Sequence, residues 1–121
     1  MAVGISKPHL TWHVPQEFFD LYPLDEIEAA PFQRDDLNDI VRNDGKPIFK
    51  PTDRFLLADG NDMHKQANRA YLACVSYVDH SLGVLLDKLE QSKYADNTIV
   101  MIWGDHGWHL SEKMHYGKTG L

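Results

Sequence analysis

Cysteine is nearly absent from this chain. With Cys74 alone among 121 residues, no internal disulfide can staple the fold, and the thiol content says nothing about compartment. Apolar runs are short: none approaches the roughly 18 residues a membrane span needs, no secretory signal is legible, and no membrane partner is expected. Positive charge is scarce as well. Twelve Lys and Arg stand against 18 Asp and Glu, a net charge of −6, and no basic run interleaved with aromatics offers a nucleic-acid surface. Strands are few, with two candidates at most, whereas a parallel sheet needs several strands covered by helices on both faces. The chain therefore reads as a piece of a larger protein, with Met1 an internal methionine or a miscalled start. Left alone, such a piece is expected to be poorly stable or to self-associate.

The residues present are those of a globular protein, 43% hydrophobic and 25% charged. The organising stretch is Thr98-Ile99-Val100-Met101-Ile102-Trp103, an uncharged, β-branched run that predicts a core strand over 98–103, buried on both faces. Gly104-Asp105-His106-Gly107 follows directly. In open α/β sheets, ligands collect beyond the carboxyl ends of strands. A carboxylate beside an imidazole can hold a divalent cation, and flanking glycines let backbone approach closely. The same four residues also make an ordinary turn. His109, Glu112, Lys113, His115 and Lys118 crowd the rest of the loop, 104–121.

Upstream, residues 1–10 read as the end of a strand, 1–5, followed by an anion loop. Pro8 disfavours helix and holds Lys7 extended, so Lys7 and His9 are expected to point to one side. Residues 11–61 read as an irregular excursion broken by Pro15, Pro23, Pro31, Pro47 and Pro51, with a short helix at most after Pro15. Trp12, Phe18, Phe19, Tyr22, Phe32, Phe49 and Phe55 would pin it by packing, while Arg34 to Asp39 would face solvent. A helix is predicted over 62–91, capped by Asn61 or Asp62. Its apolar stripe runs through Ala67, Ala70, Tyr71, Cys74, Val75, Val78, Leu82, Leu85, Leu86 and Leu89. Cys74 is a core residue in this reading, Gly83 allows a close approach to a strand, and His64 and His80 are surface or satisfied polar positions. The helix would feed strand 98–103 in a crossover whose earlier parallel partner is 1–5.

Taken in order, Lys7-Pro8-His9, Phe19-Asp20-Leu21-Tyr22-Pro23, the run Tyr71 to Asp79, Asp96-Asn97-Thr98-Ile99-Val100, Gly104-Asp105-His106-Gly107-Trp108-His109-Leu110 and Lys118 form a set. This set resembles the sulfatase family of the alkaline-phosphatase superfamily, and within it the iduronate-2-sulfatase branch. The resemblance implies an α/β fold, here a partial alkaline-phosphatase-like mixed sheet with flanking helices, an incomplete sulfatase core. It implies a divalent cation, usually calcium, with Asp105 and His106 matching two metal ligands. It implies that His9 contacts the sulfate or the leaving group, that Lys118 binds a sulfate oxygen, and that Lys7 adds to the anion pocket. The partner implied is a sulfated small molecule or glycan.

Departures from the family pattern limit what the chain can do alone. The formylglycine nucleophile of sulfatases arises in a Cys/Ser-x-Pro-x-Arg motif, which is absent, Cys74 being followed by Val75-Ser76-Tyr77. There is no Asp-Asp pair at a first strand end, since Asp35-Asp36 lies in a polar stretch, and Ser111 stands where many relatives carry glycine. The expectation is a sulfuric ester hydrolase fragment, inactive by itself. The alternatives are a phosphoesterase or phosphonate hydrolase of the same superfamily, or a non-catalytic binding module.

Overall fold

The computed structural model describes residues 1–118. The chain divides into two units, one of Met1–Pro23 with Arg69–Trp103 and the other of Leu24–Asn68 with Gly104–Leu121. Three α-helices are found among the described residues: α1 (Gln16–Asp20), α2 (Asp53–Gly60) and α3 (His64–Glu90). The one sheet among them has two strands, β1 (His109–Leu110) antiparallel to β2 (Tyr116–Gly117), with His109 opposite Gly117 and Leu110 opposite Tyr116. Among the described residues no helix is long and apolar enough to cross a membrane.

The first unit is organised on α3 from Arg69 onward, part of a helix of 27 residues about 40 Å long. Ala73 and Cys74 are fully buried on it, and burial pushes the Cys74 thiol up from its ordinary range, as suits a packed side chain and not a nucleophile. α1 begins directly after Pro15, a residue whose fixed φ suits helix entry, and Gln16 Nε2 donates to Asp20 Oδ1 at 2.8 Å across its single turn. Its Phe18 is buried edge-on against Tyr77 at 5.3 Å. Arg69 donates twice to the Phe19 carbonyl, at 3.0 and 3.3 Å, and Tyr22 Oη shares a 2.6 Å hydrogen bond with Ser76 Oγ. Trp12 meets Tyr71 edge-on at 6.1 Å. These side chains lie 50 or so positions apart in sequence, so the loop they fix is held by the helix and not by its own local structure.

The described residues differ from several expectations. The segment predicted as a core strand, 98–103, has no ladder partner among the described residues, nor do residues 1–5, its expected neighbour. Ile99, Met101 and Trp103 are 92%, 75% and 77% exposed. The reason is physical: a β-branched run becomes a strand only when neighbouring strands satisfy its N–H and C=O groups, and none pairs with it among the described residues. Gly83 meets no such strand either, since a Cβ built there finds nothing within 4 Å. Replacing Gly83 by Ala should therefore stabilise the chain by about 0.5–1 kcal/mol, seen as a raised urea midpoint. The exposed run from Ile99 to Trp103 has the uncharged, β-prone character that pairs with other chains. At micromolar concentration the chain should sediment as more than a monomer, and Met101→Lys should shift it toward the monomer. Identical profiles for the two proteins would remove this segment as the cause.

The second unit contains the helix that the sequence reading placed inside an irregular excursion. Thr52, just after Pro51, caps α2 by accepting from the Phe55 N–H at 3.3 Å, so the proline marks a helix entrance and not a break. Helix α3 begins at His64, two residues later than predicted, because Asp62 adopts a left-handed φ of 52° and Met63 N–H returns to the Ala58 carbonyl at 2.8 Å. Phe55 is fully buried and stacks a core from Phe32 at 5.0 Å, His64 at 5.4 Å and Tyr116 at 6.3 Å, with Ile27, Leu37 and Ala58 also buried. The acidic stretch 34–39 does not simply face solvent. Arg34 makes a two-pronged pair with Asp59 at 2.8 and 3.0 Å, and Asp36 is taken by Lys113.

Candidate functional site

The loop from Gly104 onward is shaped by a short hairpin whose tip is strained and clamped. Ser111, Lys113 and Met114 have φ of 110°, 53° and 51°, a region that costs a non-glycine residue about 1–3 kcal/mol. Here the serine is fully buried and its Oγ donates to the Ala30 carbonyl at 3.1 Å, which offsets part of the strain. Lys113 is held by its backbone N–H on Asp36 Oδ2 at 3.0 Å and by Nζ on Asp36 Oδ1 at 2.9 Å and Asp39 Oδ2 at 2.7 Å. These bonds hold the Asp36 carboxyl below the usual carboxylate range and raise the Lys113 ammonium.

Below the tip, Tyr116 is buried and receives its backbone anchor from Thr52, whose Oγ1 accepts the Tyr116 N–H at 3.2 Å. Its hydroxyl lies 2.9 Å from His64 Nδ1, and His64 Nε2 lies 3.4 Å from Asp59 Oδ1. Burial, with the charge of Glu112 acting in the same direction, pushes the Tyr116 phenol up to about 12. His115 packs edge-on against His109 at 5.2 Å, and its buried Nε2 has no hydrogen-bond partner among the described residues. Burial lowers the His115 imidazole from its ordinary 6.5, and His109 and Arg54 add to the shift.

This has a definite pH consequence. Above 6.5 His115 is neutral in both states; as pH falls through that value the unfolded chain takes up the proton first, so stability declines until the folded ring is protonated too. The depressed carboxyls of Asp36 and Asp59 add a second decline as pH falls below 3.8. Urea midpoints measured against pH should show both stages, and His115→Gln should remove the first. Persistence of that stage in the variant would clear His115 of the role.

Asp105 is 92% exposed, and its Oδ2 lies 3.5 Å from Nε2 of His106. His106 Nδ1 is 2.7 Å from the Gly107 carbonyl, which can only accept, so Nδ1 carries a proton there, while Nε2 faces the Asp105 carboxylate. An imidazole oriented through its Nδ1–H by a backbone carbonyl is a common arrangement for a metal ligand. The two side chains fit part of a cation's shell. A hard cation takes six or more oxygens, and no group of three or more His, Cys, Asp or Glu suited to a metal occurs among the described residues.

The other expected site residues are placed as follows. Lys7 is half-buried and its ammonium donates to the Thr11 carbonyl. His9 is exposed, with Nδ1 2.8 Å from the Leu10 carbonyl. The segment is not extended as expected: the His9 N–H bonds the Ser6 carbonyl at 3.0 Å, closing a tight turn around Lys7-Pro8. Lys118 is exposed immediately after β2. Lys7 and His9 belong to the first unit, and Asp105, His106 and Lys118 to the second. Sequence reasoning missed the Thr52, Asp59, His64, Ser111 and Tyr116 cluster. Thr52 could have been found as a cap before Asp53, but nothing local links His64 to a tyrosine 52 residues away.

A family model described as Sulfatase matches residues 4–120. The chain is 44% identical over its whole length to a sulfatase of Formosa agariphila, spanning 24% of that protein. It is 34% identical to the iduronate 2-sulfatase of Mus musculus over 98% of the chain and 23% of the relative. To the choline-sulfatase of Rhizobium meliloti it is 27% identical, over 93% of the chain and 22% of the relative. The chain thus spans about a quarter of the length of these curated relatives. No solved structure matches. The sulfatase family is generally divalent-cation dependent, in keeping with the donor pair at 105 and 106. With the family model covering nearly all of its residues, this chain belongs to the sulfatase family.

Proposed function

We propose that the chain is the central part of a sulfuric ester hydrolase, an alkaline-phosphatase-like mixed sheet in the intact protein, in which 98–103 is a core strand. The supporting observation is the Asp105–His106 pair, with the imidazole proton held on Nδ1 by the Gly107 carbonyl and Nε2 beside the Asp105 carboxylate. Asp105 and His106 are assigned as ligands of a divalent cation, calcium by resemblance, which when bound would polarise a sulfate oxygen. Lys118 and Lys7 supply positive charge to the sulfate oxygens. By the same resemblance His9 is assigned to contact the sulfate and to give a proton to the leaving oxygen. The nucleophile lies outside this sequence, so the 121 residues alone are inactive in this reading. The relatives' names favour a sulfated substrate, small molecule or glycan, over a phosphate ester.

The test uses the polypeptide that carries this chain together with a Cys/Ser-x-Pro-x-Arg segment. It should release sulfate from a chromogenic aryl sulfate, lose that activity on chelation and regain it with calcium. Asp105→Ala should weaken calcium binding in calorimetry. Unchanged calcium heats in that variant would overturn the ligand assignment, and faster cleavage of an aryl phosphate than of the sulfate would overturn the reaction class.

A further inference from the structure

We infer that Tyr116, held by His64, is a positioning residue for Lys118, an inference that rests on the anion-binding role proposed for that lysine. Lys118 directly follows β2, a strand of only two residues. So short a strand cannot fix what comes after it by its ladder alone. The additional restraint comes from Tyr116, two positions before the lysine. Its backbone N–H is held by Thr52 at 3.2 Å and its hydroxyl by His64 at 2.9 Å. Between them, Gly117 takes a φ of 152°, and a Cβ there would come within 3.2 Å of His115 Nε2, so a residue with a side chain is disfavoured at this exit from the strand.

The far end of this support is also fixed. His64 is buried as the first residue of α3, and Asp59 near the end of α2 accepts from its Nε2 side at 3.4 Å. Asp59 is in turn gripped by both terminal nitrogens of Arg34. A carboxylate only accepts, so the His64 proton sits on Nε2 and its Nδ1 lone pair receives the Tyr116 O–H. With its pKa pushed up to about 12, Tyr116 remains a phenol and keeps that donor throughout the working pH range. Arg34, Asp59, His64 and Tyr116 thus form one directed series of hydrogen bonds from a surface loop to the backbone that carries Lys118.

The experiment is a double-mutant cycle in the polypeptide with the nucleophile segment, reading kcat/KM for the aryl sulfate and inhibition by free sulfate. Tyr116→Phe keeps the ring and removes only the hydroxyl, and should lower kcat/KM about tenfold and weaken sulfate inhibition to a similar extent. In a Lys118→Ala background the same change should cost nothing further, because the hydroxyl acts through the lysine. His64→Gln, which cannot both accept from Tyr116 and donate to Asp59 in the same geometry, should reproduce the loss of Tyr116→Phe with a normal far-ultraviolet spectrum. Equal fractional losses in both backgrounds would mean a general structural role and overturn the inference. So would full activity in Tyr116→Phe. Should Lys118→Ala itself keep full activity, the anion-binding role fails, and this inference with it.

Discussion

Phe55→Ala is expected to unfold the second unit. The side chain is fully buried and is the common neighbour of Phe32, His64 and Tyr116, so its removal leaves a cavity bounded by three rings that cannot collapse together without breaking the His64–Tyr116 bond. Phe to Ala at such positions costs about 3–5 kcal/mol. A core of this size rarely supplies more than about 3–5 kcal/mol in all. The expected result is loss of dispersion in the methyl and aromatic proton spectrum for the unit. Leu57→Ala, on the same helix but 64% exposed, is the control and should shift stability by no more than about 0.5 kcal/mol. Similar losses for the two variants would mean that the ring cluster is not the core.

Lys118→Ala should lower kcat/KM for a sulfate ester by about 10²–10³ in the nucleophile-bearing polypeptide, the usual cost of removing one preorganised charge from a developing oxyanion. The chemistry demands it: a sulfate ester carries a formal negative charge that grows on its oxygens as the ester bond breaks, and an ammonium set beside them gains strength where water is excluded. Lys118→Arg keeps the charge but not its shape and should recover only part of the loss. The folded core should be unaffected, because Lys118 is exposed and follows the last residue of β2. An activity loss under threefold with an unchanged spectrum would take Lys118 out of the anion site.

The helix α3 was legible to within two residues at its start and one at its end, since its apolar stripe repeats every three or four positions and needs no distant partner to be recognised. The missed helix α2 shows the limit of reading prolines as breaks. Pro51 precedes the Thr52 cap, and both residues are used for helix entry. Gly83 differs for another reason: a glycine in a helix suggests close approach, but only the tertiary packing decides whether anything approaches, and here nothing does.

Within the candidate site, the adjacency of Asp105 and His106 was written in the sequence, and the structure adds the carbonyl of Gly107 that fixes the imidazole proton. Ser111 was noticed as a departure from glycine, yet its left-handed φ and its bond to the Ala30 carbonyl, 81 positions away, were not visible. The expected same-side projection of Lys7 and His9 gave way to a turn, because the Ser6 carbonyl is close enough to capture the His9 N–H.

By itself the sequence determined the family, through the order of motifs spread along the chain, and the long helix, through periodicity. Both signals are local: a motif or a stripe is complete within a few turns of chain. Only the tertiary structure decided that His64 meets Tyr116, that Lys113 is held by Asp36 and Asp39, and that the apolar run 98–103 stands without a ladder partner among the described residues. Those outcomes depend on which distant segments close on one another. Loop closure is governed by chain entropy and by the fit of side chains more than 50 residues apart, and neither leaves a periodic mark in sequence.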